Sequence, residues 1–294
     1  VEINLPKDAS KKISIAKPKP DQIINNTIYW KNPSSKTIYA VFGDVQFYNL
    51  NLIYNLYNPK LHRVYTDVAF PPDMLHQKIF VNSVSPIPAA TFTDEDGNFI
   101  ARYYLNPKET KKVVFKGVAA LFVNSRPEIQ LLNRSKIEKQ KIYLLTQSQY
   151  WKVDQIDKYT ALKTPGEIYN FITDNFSYDY QRVSKNIKRL GAEAALQSPN
   201  KAVCTEFSDT FIALSREKGI FSREIEGYGF SSDSQLRPLS LITDVLHSWP
   251  EYYDEQKSEW ISVDPTWENT SGIDYFNSFD IDHYKNLKHD LKDY

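Results

Sequence analysis

The spacing of apolar residues divides the chain into two unlike halves. Between residues 48 and 56 the even positions Tyr48, Leu50, Leu52, Tyr54 and Leu56 are apolar, and the odd ones are mostly Asn. Strand side chains alternate between two faces, so this period of two predicts a half-buried β-strand. Asn58-Pro59-Lys60 is a turn signal, after which Val64, Thr66, Val68 and Phe70 continue along one face. Thr91-Phe92-Thr93 and Phe99-Ile100-Ala101-Arg102-Tyr103 flank Asp94-Glu95-Asp96-Gly97-Asn98, and a long strand follows from about Lys111 to Val123. Aspartate and glycine between two strand patterns predict a hairpin turn. A calcium loop there would need its bidentate Glu where Leu105 stands. Residues 1–125 therefore predict an antiparallel β-sandwich, with His62 and His76 in structural positions.

Beyond residue 160 the helical period takes over. Thr164-Pro165-Gly166-Glu167 predicts a helix start, with Thr164 as cap, Pro165 first in the helix and Glu167 reaching back. Ile168, Phe171 and Ile172 supply its buried stripe. A second helix opens at Cys204, because Cys204, Phe207, Phe211 and Leu214 recur on one face, and Lys218-Gly219 closes it. Ser198 and Asn200, on either side of Pro199, are the candidate caps upstream. Arg223 to Tyr228 reads as a strand and residues 231–244 as a loop.

His247 to Tyr253 and Glu259 to Asp264 then form a hairpin. With its centre near Glu255-Gln256, Tyr253 faces Ser258 and His247 faces Asp264. Directly opposed side chains lie ~5 Å apart at Cβ, within reach of an imidazole–carboxylate hydrogen bond. A slip of one residue would place them on opposite faces. Between the halves, Arg134, Lys136, Glu138, Lys139 and Lys141 read as a solvated face, while Trp151 and Tyr159 mark a packing segment. The expected division is 1–130 for the sandwich domain and 131–294 for an α+β domain, with a helical linker over 131–164.

Composition removes several classes of function. The 36 basic and 36 acidic residues cancel, giving no general pull toward nucleic acid or an anionic membrane. Cys204 is the only cysteine, so an intramolecular disulfide and a Cys-clustered zinc site are excluded, and neither a metal nor another cofactor is expected. No run approaches the ~18 apolar residues of a membrane span. The apolar stretch from Gly117 to Val123 reads as a strand. The chain begins at Val1 without a signal-like segment, which suggests a processed product. With the β-rich first half, that favours an extracytoplasmic or cell-surface location.

Cys204 has two readings. It is a small buried hydrophobe on a core face, or a nucleophile at a helix N-terminus, where unpaired N–H groups favour an anion. A nucleophilic thiol needs a base, and the base needs a group that fixes its tautomer. His247 and Asp264 can fill those roles, or can simply end a strand and begin a turn.

The order of motifs resembles that of the transglutaminase-like cysteine enzymes. Cys204 opens a helix, followed by Gly219-Ile220 and Gly227-Tyr228. His247-Ser248-Trp249-Pro250-Glu251 and Trp260-Ile261-Ser262-Val263-Asp264-Pro265-Thr266-Trp267 come next, all within about residues 164–285. The resemblance implies a papain-like α+β core with the Cys-bearing helix packed on an antiparallel sheet. It implies Cys204 as nucleophile, His247 as general base and then acid, and Asp264 as orienter. The substrate would be a protein or peptide amide, passing through a thioester to water or another amine. Trp249, Trp267 and Tyr228 would line the substrate space. The other reading is a catalytically silent module of this type that binds protein or glycan. Two residues depart from the family pattern. Pro250 removes a ladder donor and predicts an edge or bulge there, and Val203 stands where many relatives carry a smaller residue.

Overall fold

A computed structural model of the chain describes residues 2–4, 13–24, 27–33, 38–94, 96–126, 143–147, 149–183, 188–229, 246–277 and 283–289. Short strands β1 (Glu2–Asn4), β2 (Ile13–Lys17), β3 (Gln22–Ile24), β4 (Thr27–Tyr29) and β5 (Tyr39–Phe42) pair as β1-β4-β3 and β2-β5. The sandwich is built from β6 (Val45–Tyr57), β7 (Val64–Phe70), β8 (Gln77–Ser85), β9 (Ala90–Thr93), β10 (Phe99–Leu105) and β11 (Thr110–Phe122). These form two antiparallel three-stranded sheets, β6-β11-β8 and β7-β10-β9. Leu50 and Leu52 from one sheet and Val68, Phe70 and Tyr103 from the other share one core. The predicted alternation therefore holds, since the even positions from Tyr48 to Leu56 are the ones turned inward. The predicted hairpin forms, with Thr93 opposite Phe99, Gly97 N bonded to the carbonyl of Asp94 at 3.0 Å and Gly97 at a φ of 82°.

The α+β part contains α1 (Pro165–Asn175), α2 (Ala192–Gln197), α3 (Cys204–Glu217) and α4 (Pro265–Ser271). Its antiparallel sheet has the order β14 (Glu259–Ser262), β13 (Leu246–Asp254), β12 (Ser222–Gly229), β15 (His283–His289). No helix among the described residues is long and apolar enough to cross a membrane. The N-terminus of α1 follows its local sequence. Thr164 accepts from Glu167 N, and Glu167 accepts from Thr164 N in return. Ile168 and Ile172 join Phe207, Phe211 and Leu214 in one core.

Four features differ from the sequence reading. The β13–β14 hairpin is shifted by two residues, so Tyr253 faces Trp260 rather than Ser258. An even shift preserves the face of every side chain, and His247 and Asp264 stay on the same side. Pro250 sits in an interior strand, yet its carbonyl accepts from Val263 N, just beyond the end of β14. Its missing N–H therefore points where the ladder has already stopped, and neither a sheet edge nor a bulge is required. Neither Ser198 nor Asn200 caps α3. Val203 occupies the cap position, and Glu206 accepts its N–H at 3.0 Å. Finally, α3 is buried almost all round, including Glu206, Ser208, Asp209 and Thr210, rather than on one face alone.

Trp151 is buried in the α+β core, and Tyr159 stacks edge-on against Phe171. The basic run from Arg134 to Lys141, the domain boundary near residue 130 and the loop of 231–244 lie outside the described residues. Within the expected helical linker, the helical segments among the described residues are 3-10 turns at Tyr143–Leu145 and Ile156–Tyr159.

Asn58, read above as part of a turn, is wholly buried and ties three chain segments together. Its amide donates to the carbonyls of His62, Leu105 and Asn106, and its side-chain oxygen accepts Lys60 N. Asn58→Ala strands those carbonyls in the interior. The expected result is a loss of about 2 kcal/mol, read as a lower urea midpoint at unchanged m-value.

Candidate active site

The site forms where α3 begins and β13 and β14 end. Cys204 is the first residue of α3 and is 5% exposed, and His247, near the start of β13, is 3% exposed. Asp264 follows β14 and has no exposed surface. Its Oδ2 meets His247 Nε2 at 2.6 Å. Its Oδ1 accepts Thr266 N at 2.9 Å and Trp267 N at 3.0 Å, capping α4. A carboxylate bonded through both oxygens has no freedom to turn from the ring. The bond at Nε2 leaves Nδ1 as the ring nitrogen that Asp264 does not engage.

Burial opposes charge on His247, but the Asp264 carboxylate and then the neighbouring Cys204 outweigh it and push the imidazole up to about 9. The structure thus brings together all three residues selected from the sequence. Two indoles surround the ring. Trp249 lies 5.7 Å from it at 30° and Trp267 lies 5.6 Å away at 28°. A Cβ on Gly229 would stand 2.5 Å from the Trp267 ring, so that strand position allows the indole to reach the imidazole.

The three aromatic residues expected to line substrate space are each packed against other apolar side chains. Trp249 has no exposed surface and clusters with Met74 and Ile225. Tyr228 packs against the sandwich core, drawn there because β12 lies beside that half of the molecule. Trp267 joins Ile273 and Tyr275 in a buried cluster.

Several residues that hold the site were not selected from the sequence. Glu206, fully buried one turn into α3, accepts Val203 N, Leu190 N at 2.8 Å and Arg182 at 2.9 Å. Asp209 accepts Trp151 Nε1 at 2.8 Å and Arg189, which also reaches Glu224 at 2.9 Å. Tyr169 donates to the carbonyl of Asp264 and to Glu268. The available signal was a helix whose polar positions are acidic, with arginines upstream in Arg182 and Arg189.

Glu251, the acidic residue of the His247 motif, lies in a second buried cluster. It accepts from Arg223 at 2.7 and 2.8 Å, from Ser262 at 2.6 Å and from Lys285. Burial would raise this carboxyl, but Lys285 and Arg223 hold it well below the usual range. The cluster ties all four strands of the sheet, and Gln77 of the sandwich brackets the Lys285 main chain at 2.9 and 2.7 Å.

Residues 153–265, which include Cys204, His247 and Asp264, match the family described as the transglutaminase-like superfamily. Among solved structures, a Cytophaga hutchinsonii protein described only provisionally as a cysteine protease shares 16% identity over 84% of each chain, with a TM-score of 0.49. The periplasmic domain of TgpA from Pseudomonas aeruginosa shares 16% identity over 73% of each chain, with a TM-score of 0.32. No protein of curated function matches.

The raised imidazole sets a pH window for stability. The His247 pKa is higher folded than its ordinary value of 6.5, so the folded state holds the proton more tightly. The contribution is fully present below pH 6.5 and is lost as pH rises through about 9. The melting-temperature gap between wild type and Asp264→Asn is expected to be widest at about pH 6.5 and to narrow as pH rises toward about 9.

Proposed function

From a chain whose residues 153–265 carry a transglutaminase-like core, we propose a cysteine-dependent acyl-transfer enzyme acting on protein or peptide amides. The observation that carries this reading is the His247–Asp264 bond of 2.6 Å, with Cys204 neighbouring the same imidazole. A cysteine that merely fills a core has no use for an oriented, buried imidazole, and burying a charge-bearing pair is costly.

In this mechanism the proton of Cys204 resides on His247 Nδ1, and the thiolate adds to the amide carbonyl carbon. An S–C bond forms, and the C=O π pair moves onto oxygen. The Cys204 N–H belongs to the first turn of α3, has no acceptor within the helix and faces that oxyanion. As the C=O re-forms, the C–N bond breaks and the nitrogen takes the proton from the imidazolium. The thioester remains. Water or a second amine then attacks it while His247 removes its proton, and the thiolate leaves. Asp264 keeps the ring in the tautomer that exchanges at Nδ1 and offsets the imidazolium charge.

Residues 1–130 are proposed as a separate accessory domain, positioned by the contact of Gln77 with Lys285. The sandwich supplies no member of the Cys204, His247 and Asp264 set.

The test uses p-nitrophenyl acetate and intact-protein mass. Wild type is expected to take up one acetyl group at Cys204, and Cys204→Ala none. His247→Ala should be slower by at least ~10³-fold. Release of the acetyl group to a fluorescent primary amine marks a transferase, and release to water alone marks a hydrolase. Acylation should fall as pH rises through about 9, where His247 loses its proton. In Asp264→Asn that fall should move to lower pH. A wild-type protein that is never acylated would point to the silent binding module instead.

A further inference from the structure

Within the proposed acyl-transfer site, the Tyr178 side chain occupies the remaining wall. A parallel bridge sets Tyr178 beside Ala202, two residues before the nucleophile, and Asp179 N bonds to Ala202 O at 2.8 Å. Its ring lies 6.4 Å from Phe207, one helical turn beyond Cys204 on the same face. It also packs against the cluster of Trp267, Ile273 and Tyr275, and Trp267 stacks on His247. The ring is therefore held between the helix that carries the sulfur and the indole that walls the imidazole. The hydroxyl has no hydrogen-bond partner among the described residues. Tyr169, also in this domain, has two acceptors, at 3.0 and 2.7 Å.

We propose that the Tyr178 hydroxyl is the second oxyanion donor, working beside the Cys204 N–H. This rests on the acyl-transfer reading above. When the thiolate adds and the π pair moves to oxygen, the phenol donates a hydrogen bond and keeps its proton. It releases the oxygen when the C=O re-forms. Burial, then the neighbouring Cys204, holds the phenol well above its ordinary range, so it remains a donor throughout the working pH range. A half-buried hydroxyl with no partner in the resting protein is available for a charge that exists only in the transition state, which is where binding accelerates a reaction.

Tyr178→Phe removes the donor and no existing hydrogen bond, so the melting temperature should be unchanged. With p-nitrophenyl acetate, acylation should slow by on the order of 10²-fold at nearly constant KM. Alkylation of Cys204 by iodoacetamide forms no oxyanion and should keep its rate and pH profile. Wild type should also discriminate against the thionoester analogue, whose sulfur is a poorer acceptor, and Tyr178→Phe should lose much of that discrimination. Equal acylation by wild type and variant, or an alkylation rate that falls in parallel, would overturn this inference and leave the enzyme reading standing. A wild type inert to the ester would overturn both.

Discussion

Asp264 is held through both carboxylate oxygens, and the arrangement of the site depends on that. Oδ1 caps α4 while Oδ2 orients His247, so one side chain ends β14, starts a helix and fixes a ring. Its main-chain carbonyl accepts from Tyr169, which anchors α1 to the same point. Removing one partner of a buried pair leaves an uncompensated charge, at a cost of about 3–5 kcal/mol. The residue that orients the imidazole is thus also one that closes the core. Four elements meet at it, and none can shift alone.

Helix α3 presents the same logic from the other side. The helix that opens at Cys204 has a fixed axis. Here the axis is fixed by enclosure, with apolar contacts on one side and buried carboxylates on the other. Glu206 and Asp209 would each be costly to bury alone. Arg182 and Arg189 fold over them, and main-chain and indole N–H groups complete the shell. Such clusters add little net stability compared with apolar packing, but they admit few alternative arrangements. The first turn of α3 is therefore located by charge pairing as much as by hydrophobic contact.

The sheet is registered by a third ionic group. Glu251, Arg223, Ser262 and Lys285 come from four different strands, and Gln77 reaches in from the sandwich. This ties β15, which lies near the C-terminus, to the strand that carries His247. Pro250 fits between because β14 has already left the sheet where its N–H would be needed.

Much of this was legible in the sequence, and the division has a physical cause. Alternation along β6, the capping box at Thr164 and Glu167, and the stripe from Cys204 to Leu214 are local patterns set by neighbours within a turn or a strand. They determined the elements, and the order of motifs pointed to Cys204, His247 and Asp264. The two-residue shift in the hairpin did not matter to the facing of those residues, because alternation survives any even displacement. Which charges pair was decided only by the tertiary structure. Gln77 and Lys285 lie 208 positions apart, and Arg189 meets Glu224 across 35. Nothing in a local window encodes such meetings. The same holds for the polar side of α3, which looks like a solvated face in the sequence and becomes interior once two arginine-bearing segments close over it.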